Sequence, residues 1–513
     1  MSDTPTGRNG DNDYDPADDD ETVDPGSLPD VFGTRDDFGD FPSLGDDDER
    51  DRDDRDDDKP AESEARAADA AAAQRVYEEL LARVGEAAPQ PRLGATRRAV
   101  ELLGDPQRSY PVIHITGTNG KTSTSRMIES ILRAYGLRTG LMTSPHLVKV
   151  NERIVIDGES ISDGALAANW ADIQPYLVMV DTELAAAAEQ PLTYFEALTV
   201  LAFASFADAP VDVVVLEVGM GGEWDSTNVA DGQVAVFTPI ALDHTKRLGS
   251  TVAEIAKTKS GIIKPSANVV SAKQTPEALV ELERAAELTE STFAVEGTAF
   301  EVLKSDVAVG GQVISVRGIA GRYDEIALPM FGRHQAQNAA VAIAAVESFL
   351  GNGSQPLDAE ILSAGLAAAS SPGRLQILST DPTILVDAAH NPHGAKSLAD
   401  ALGEYFSFDR VVAVLAVLED KDAGGIIRAL APVVEQFVIT QTDSERAIAA
   451  DDLAALAVGI VGPDRVIVET NVVSALGSAR DLADDAERGG VVVTGSITLV
   501  GEVIALTEED GWK

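Results

Sequence analysis

Residues 112–124 read Val-Ile-His-Ile-Thr-Gly-Thr-Asn-Gly-Lys-Thr-Ser-Thr, and the reading of this stretch decides the fold. A β-branched run (Val112, Ile113, Ile115) ends in a turn of Gly, Thr and Asn, and a segment of helical character follows from Ser123 to Tyr135. Strand, loop and helix N-terminus in that order make an anion site, because loop N–H groups and the positive end of the helix dipole converge on one point. Lys121 supplies a cation for polyphosphate oxygens, and Thr122 a hydroxyl beside the magnesium ion that accompanies them. The spacing departs from the general phosphate-loop pattern: Ile115 stands where that pattern has its first glycine, and Gly117 sits closer in.

Outward from this loop, β and α patterns alternate. Strands are expected at Thr139–Met142, Val211–Val218 and Val234–Pro239, and helices at Ala65–Val84, Thr96–Leu103, Thr193–Ala207 and Thr251–Ser260. Such alternation predicts a mostly parallel sheet covered by helices on both faces. A small β-rich excursion is expected over 298–328, and a helix Gln335–Phe349 closes the first domain. Ser370-Ser371-Pro372-Gly373 reads as a boundary. Beyond it the alternation restarts, with strands at Thr383–Val386, Val411–Val417, Gln436–Thr440, Val466–Val468 and Gly490–Thr494. The expected fold class is therefore α/β with two domains, a phosphate-loop domain over 65–370 and a smaller one over 371–513.

The 513 residues carry a formal net charge of −45, and residues 1–64 hold 25 Asp/Glu against 6 Lys/Arg with few large apolar residues. That segment buries too little to offset its ordering entropy and is expected to be a disordered acidic tail. The remainder, at about −26, carries no basic stripe, so no nucleic acid is expected as a partner. Anionic substrates must be held by local sites, not by a global field. With no cysteine, disulfides and thiolate metal sites are excluded. No apolar stretch suits a bilayer and no secretory signal opens the chain, so no membrane partner and a cytoplasmic location are expected.

Several oxygen and imidazole groups fall where strands end. Glu217 closes one strand, before Gly219-Met220-Gly221-Gly222; Asp243-His244 follow the next; Ser144 follows a third. In open α/β sheets ligands bind beyond the carboxyl ends of strands. With phosphate oxygens these groups form a hard coordination shell with one imidazole, which suits Mg²⁺.

Eight segments in order carry a resemblance: Ile-Thr-Gly-Thr-Asn-Gly-Lys-Thr-Ser-Thr (115–124), Thr-Ser-Pro-His-Leu (143–147), Asn-Glu-Arg-Ile (151–154), Glu-Val-Gly-Met-Gly-Gly (217–222), Asp-His-Thr (243–245), Ile-Ala-Lys-Thr-Lys-Ser-Gly-Ile-Ile-Lys (255–264), Pro-Gly-Arg-Leu (372–375) and Asp-Ala-Ala-His-Asn-Pro-His-Gly (387–394). From about residue 75 to 505 the chain resembles the bifunctional folylpolyglutamate synthase/dihydrofolate synthase family of the Mur ligase class. The resemblance implies an ATP-binding central domain and a Rossmann-like glutamate-ligase domain. It also implies ATP-dependent addition of L-glutamate to the terminal carboxylate of folates and to dihydropteroate, through an acyl phosphate. It assigns Gly117, Thr118, Asn119, Gly120, Lys121, Thr122 and Ser123 to the triphosphate, Asn338 to the adenine, and Arg374 and Asp387 to contacts reaching back from the second domain. Ser144 and Glu217 become ligands of a first magnesium, Glu217 and His244 of a second, and Lys259 the site of a carbamylated lysine. His390 and Ser496 would handle the incoming glutamate, with His390 orienting or deprotonating its amine. The pterin would lie by Leu93-Gly94-Ala95-Thr96 and the helix start Thr193–Glu196. A monomer is implied.

Four positions depart from the family: Glu223 stands where Arg is usual, in a loop expected beside the folate and metal sites; Lys246-Arg247 replace neutral or acidic residues; Ala388 replaces glycine. Two other classes share parts of the pattern. A peptidoglycan Mur ligase would carry a further N-terminal domain that residues 1–75 cannot form. A phosphate-loop switch protein would not need the second domain with Arg374 and Asp387.

Overall fold

The computed structural model describes residues 59–509 except 87 and 89. The tail expected over 1–64 lies outside these residues apart from its last six, which belong to a helix, Lys59–Leu81, that starts earlier than expected. Pro60 near its first turn is a helix-start residue, since its missing N–H would have no partner there.

The first sheet has eight strands: β1 (Val112–Thr116), β2 (Thr139–Met142), β3 (Ile154–Ile156), β4 (Glu159–Ser160), β5 (Val213–Glu217), β6 (Gly232–Phe237), β7 (Asn268–Ser271) and β8 (Thr292–Val295), in the order β4-β3-β2-β5-β1-β6-β7-β8. All neighbours pair in parallel except β2–β3 and β3–β4. The β1 side chains divide between two cores. Ile113 and Ile115 pack on one face with Met127, Ile128 and Ile131 of the helix Lys121–Ala134. Val112 packs on the other with Leu198 and Phe203 of the helix Tyr194–Asp208. Burial on both faces is why β1 and β5 read as continuous apolar runs.

The excursion expected over 298–328 is an antiparallel meander, β9 (Glu301–Ala308), β10 (Gly311–Arg317) and β11 (Arg322–Leu328). Glu347, on the helix Arg333–Gly351, pins its turn by accepting from the Ile319, Ala320 and Gly321 N–H groups and the Tyr323 hydroxyl. That helix does not close the region as expected, since a further helix, Ala359–Ala368, follows it.

The second sheet has six strands, β12 (Gln376–Thr380), β13 (Thr383–Val386), β14 (Arg410–Leu415), β15 (Gln436–Ile439), β16 (Val466–Val468) and β17 (Gly489–Thr494), in the order β12-β13-β17-β14-β15-β16. Only β12–β13 is antiparallel. The helices and strands expected in both regions are present with ends shifted by a few residues; the phosphate-loop helix, for instance, begins at Lys121, not Ser123.

The structure also has elements that sequence reasoning left unassigned. The helix Asp163–Ala186 holds Pro175 in its interior, a residue that ordinarily argues against helix. β3, β4, β7, β8 and β12 are short, and pairing to neighbours, not their own pattern, makes them strands. Among the described residues no helix is long and apolar enough to cross a membrane.

Candidate active site

β1 lies between β5 and β6, so the chain leaves β1 toward one side of the sheet and later returns to the other. Parallel pairing puts the C-terminal ends of β1, β2, β5 and β6 on one edge, above which the phosphate loop, Ser144, Glu217 and Asp243-His244 converge. Arg374, the 387–394 segment, Lys421 and Ser496 face them from the second region, and all line one cavity of about 1420 Å³. Every residue predicted from sequence for nucleotide, cation, catalysis or glutamate lies on its wall: Gly117 to Ser123, Ser144, Glu217, His244, Lys259, Asn338, Arg374, Asp387, His390 and Ser496.

The loop is built for close approach. Gly120 has φ +88°, and a Cβ there would stand 2.7 Å from Asn338 Oδ1. Asn338 in turn donates to Gln335 Oε1 at 3.0 Å, and Gln335 to the Ser123 hydroxyl at 3.3 Å. The Lys121 ammonium curls over the loop, donating to the carbonyls of Gly117 and Thr118 at 3.2 and 3.3 Å. Burial pulls its pKa below the ordinary value against the opposing pull of Glu217 and Asp243.

Glu217 is 1% exposed. Its Oε1 accepts from the Thr122 hydroxyl at 3.1 Å, and its Oε2, fully buried, has no hydrogen-bond partner among the described residues. Burial raises its pKa; Lys121, the Thr122 hydroxyl, Arg374 and the Ser144 N–H pull the other way. An orphaned buried carboxylate oxygen beside two hydroxyl residues fits a hard cation. His244, in a left-handed turn at φ +48°, is pushed down to about 4 by burial and then by Lys421, which leaves its ring neutral near pH 7. No three His, Cys, Asp or Glu side chains cluster as a metal site among the described residues.

Lys259 is no surface lysine. It is 4% exposed, donates to the Gly117 carbonyl at 2.8 Å, and is pulled down to about 7 by burial and by Lys121. Gly222 lets the loop after β5 press on this helix, Val252–Ser260: a Cβ there would stand 2.6 Å from the Lys259 carbonyl oxygen.

Asp243, a residue given no role from sequence, is a hub between the two regions. Its Oδ1 accepts from Lys421 Nζ at 2.9 Å, and its Oδ2 lies 3.4 Å from Asn391 Nδ2 and 3.7 Å from His390 Nε2. Burial acts to raise its carboxyl, but the nearby His390 and His244 rings and the charge of Lys421 hold it well below the usual carboxylate range. Asn119 and Asn391 exchange amide hydrogen bonds at 3.0 and 3.3 Å, and Asn119 Nδ2 also meets His393 Nδ1 at 3.0 Å. The phosphate loop is thus tied directly to the second region. Lys421 was missed although its position carried the signal: it follows β14 as His244 follows β6.

Other predicted residues have structural work. Asp387, raised by burial, accepts from the N–H groups of Leu375 and Ala389, which fixes the Arg374 turn. The Ser496 hydroxyl accepts from Thr498 N–H at the start of the helix Ile497–Glu509. His390 Nδ1 lies 2.9 Å from the Ala388 carbonyl, so its Nε2 is the nitrogen turned toward Asp243. The Arg153 guanidinium forks onto Glu86 at 2.7 and 3.0 Å, and its Nε donates to His146 at 2.8 Å. Glu152 gathers the N–H groups of Leu147, Val148 and Lys149. The 143–147 and 151–154 motifs therefore hold the loop that presents Ser144.

One expectation needs correction. Leu93 to Thr96 do not line the cavity; Gly85, Glu86, Gln90, Thr193, Phe195 and Glu196 form that side of it. Thr96 is turned into the core by the helix Gly94–Leu102, whose buried face it shares with Ala95, Ala99 and Val100. Glu223 stands in a loop beside the cavity, with Gly221, Trp224 and Asp225 on the wall, while its own side chain is exposed and off that wall, its N–H tied to the Thr258 carbonyl at 2.8 Å.

Comparison with known proteins gives this geometry a family. Residues 115–346 match the Mur ligase middle domain and residues 373–497 the Mur ligase glutamate ligase domain. The chain is 44% identical over 441 residues to the dihydrofolate synthase/folylpolyglutamate synthase of Mycobacterium tuberculosis, spanning 82% of this chain and 91% of that one. It is 35% identical to the Bacillus subtilis protein of the same name over 71% of this chain and 84% of that one. The M. tuberculosis folylpolyglutamate synthase complexed with ADP superposes with a TM-score of 0.82 at 43% identity, covering 85% of this chain and 98% of that one. Escherichia coli FolC in complex with DHPP and ADP superposes at 0.71 with 30% identity, covering 82% and 94%. This chain is an ATP-dependent amide ligase of the Mur ligase class, and it belongs to the dihydrofolate synthase/folylpolyglutamate synthase family.

Proposed function

We propose that the protein uses MgATP to join L-glutamate to the terminal carboxylate of folates and to that of dihydropteroate. The observation that carries this is the cavity between the phosphate loop and the 387–394 segment, with the unpartnered carboxylate oxygen of Glu217 in its wall. A carboxylate acylates an amine only after activation. Its oxygen attacks the γ-phosphorus of ATP in line, the bond to the β–γ bridging oxygen breaks, and an acyl phosphate and ADP result. Lys121, at the loop carbonyls, is placed to neutralise the transferred group. The neutral amine of glutamate then attacks the acyl carbon and expels phosphate.

His390, its Nδ1 anchored on Ala388, turns Nε2 into the cavity to orient that amine or take its proton. Glu217 with the Thr122 and Ser144 hydroxyls would hold one magnesium, and Glu217 with His244 a second. When bound, these ions supply positive charge against that developing on the phosphoryl group. Lys259 is proposed as a carbamate: its buried amine, pulled down to about 7, is in good part neutral and nucleophilic toward CO₂ near pH 7. Asn338 and Arg374 would contact the adenosine and phosphates. In this reading 65–370 and 371–513 are separate domains whose closure completes the site, and the enzyme is a cytoplasmic monomer.

The test is phosphate release from MgATP and L-glutamate, with and without dihydropteroate or tetrahydrofolate, followed by product mass. A gain of one glutamyl unit supports the reading and shows which acceptor is used. Release indifferent to pterin and glutamate would sink it.

A further inference from the structure

Each cycle of the proposed reaction leaves a product with one more carboxylate, and the next cycle must admit it to a protein of net charge −45. Long-range electrostatics oppose that entry, so the extended tail needs local cations. The cavity offers a place for them. After His244, the short helix Thr245–Leu248 turns along the wall. Lys246 and Arg247 on it line the cavity with their side chains exposed, in the positions where family resemblance leads one to expect neutral or acidic residues.

The next residue, Leu248, is buried with Trp224, Met220 and Val252. These four, with Phe195, make an apolar, partly aromatic stretch of the same wall. Along the chain Lys246 and Arg247 thus fall between Asp243-His244, which mark the reactive end, and Leu248, which belongs to a surface suited to a flat heteroaromatic ring. Three other cations near the mouth lie against carboxylates. Lys421 pairs with Asp243, Arg446 with Asp420, and Lys273 lies against Glu296. Lys246 makes no hydrogen bond or ion pair among the described residues.

Resting on the ligase reading above, we infer that Lys246 and Arg247 form a subsite for the α-carboxylates of a γ-linked glutamate tail, and so set a preference for substrates that already carry several glutamates. A pterin acceptor with a single carboxylate gives the pair little to hold. One with three glutamates presents a carboxylate to each cation while its terminal carboxylate reaches the phosphate loop.

The test compares the double variant Lys246→Gln/Arg247→Gln with the unaltered full chain on folates carrying one and three glutamates, at low and high salt. Removing both exposed charges together should lower the triglutamate-to-monoglutamate ratio of kcat/KM about fivefold, an effect carried by KM. The same ratio should fall with salt in the unaltered protein and be flat in the variant. A ratio that does not move, or equal losses on both substrates, overturns the subsite. If the unaltered protein adds glutamate to no folate, the ligase reading itself falls and takes the subsite with it; transfer with an unmoved ratio removes the subsite alone.

Discussion

Replacing Glu217 by Gln separates what this residue does for catalysis from what it does for the fold. The carboxylate is 1% exposed, with Oε1 on the Thr122 hydroxyl and Oε2 unpartnered among the described residues. Gln keeps the shape and can keep the Thr122 contact while removing the buried charge. Burying a carboxylate costs several kcal/mol after relaxation, and Lys121, Arg374, the Thr122 hydroxyl and the Ser144 N–H offset only part of it, since the net effect on Glu217 is a raised pKa. We expect Glu217→Gln to stabilise the ligand-free protein by about 1–2 kcal/mol, or a Tm rise of about 2–4 °C.

The sign with pH follows. A carboxyl raised in the folded state favours folding below its unfolded value of 4.5, and that contribution is lost as pH rises through the folded value. The variant's advantage should therefore be small at pH 4 and grow as pH rises through the folded value. Activity should move the other way, falling about 10²-fold or more, as expected when a group acting on transition-state charge is removed. Scanning calorimetry with and without MgATP, beside phosphate release, reads both. The MgATP-induced Tm shift should shrink strongly in the variant. A destabilised variant with normal turnover would refute the cation assignment and make Glu217 a structural partner of Thr122.

Lys421→Met leaves Asp243, whose side chain is 11% exposed, without its closest charge. Breaking so buried a pair should cost about 3 kcal/mol, read as a lower Tm and a raised KM for ATP; unchanged values would remove Asp243 as a hub. Because the Asp243 carboxyl is held low in the folded state, its stabilising contribution is present above the unfolded value of 3.8 and lost as pH falls below it. Lys421→Met should flatten that acid limb. Gly120→Ala places a side chain at φ +88° against Asn338 and should cost about 1–2 kcal/mol in stability with a larger loss in ATP affinity by calorimetric titration; wild-type affinity would contradict the close packing described. If Lys259 is carbamylated, activity of CO₂-depleted enzyme should recover on adding bicarbonate, faster as pH rises through about 7, and Lys259→Ala should be rescued in part by short carboxylic acids. Indifference to bicarbonate, with an unmodified mass in mild native conditions, would count against the carbamate.

The phosphate loop, the two parallel sheets and the strand-end positions of Ser144, Glu217 and His244 were legible because each rests on local order. Strands buried on both faces must be apolar throughout, a loop that takes phosphate must carry Gly and Lys before a helix, and parallel strands put their ends on one edge. Short strands such as β7 and β12, and the helix that runs through Pro175, were not legible, because neighbours hold them and their own pattern does not. Within the site, residue type and chain position were readable; contact was not. Sequence could name Lys259 but not bury it, and it could quote Asp243 and Asn391 without showing that one carboxylate gathers Lys421, Asn391 and His390 from the other region. It also put Leu93 to Thr96 at the pterin, where the structure turns Ala95 and Thr96 into the core. Which side chains share a cavity, and which buried carboxylate oxygen is left unpartnered, depends on how the two sheets face each other, and that is decided by packing across long chain separations that no local pattern records.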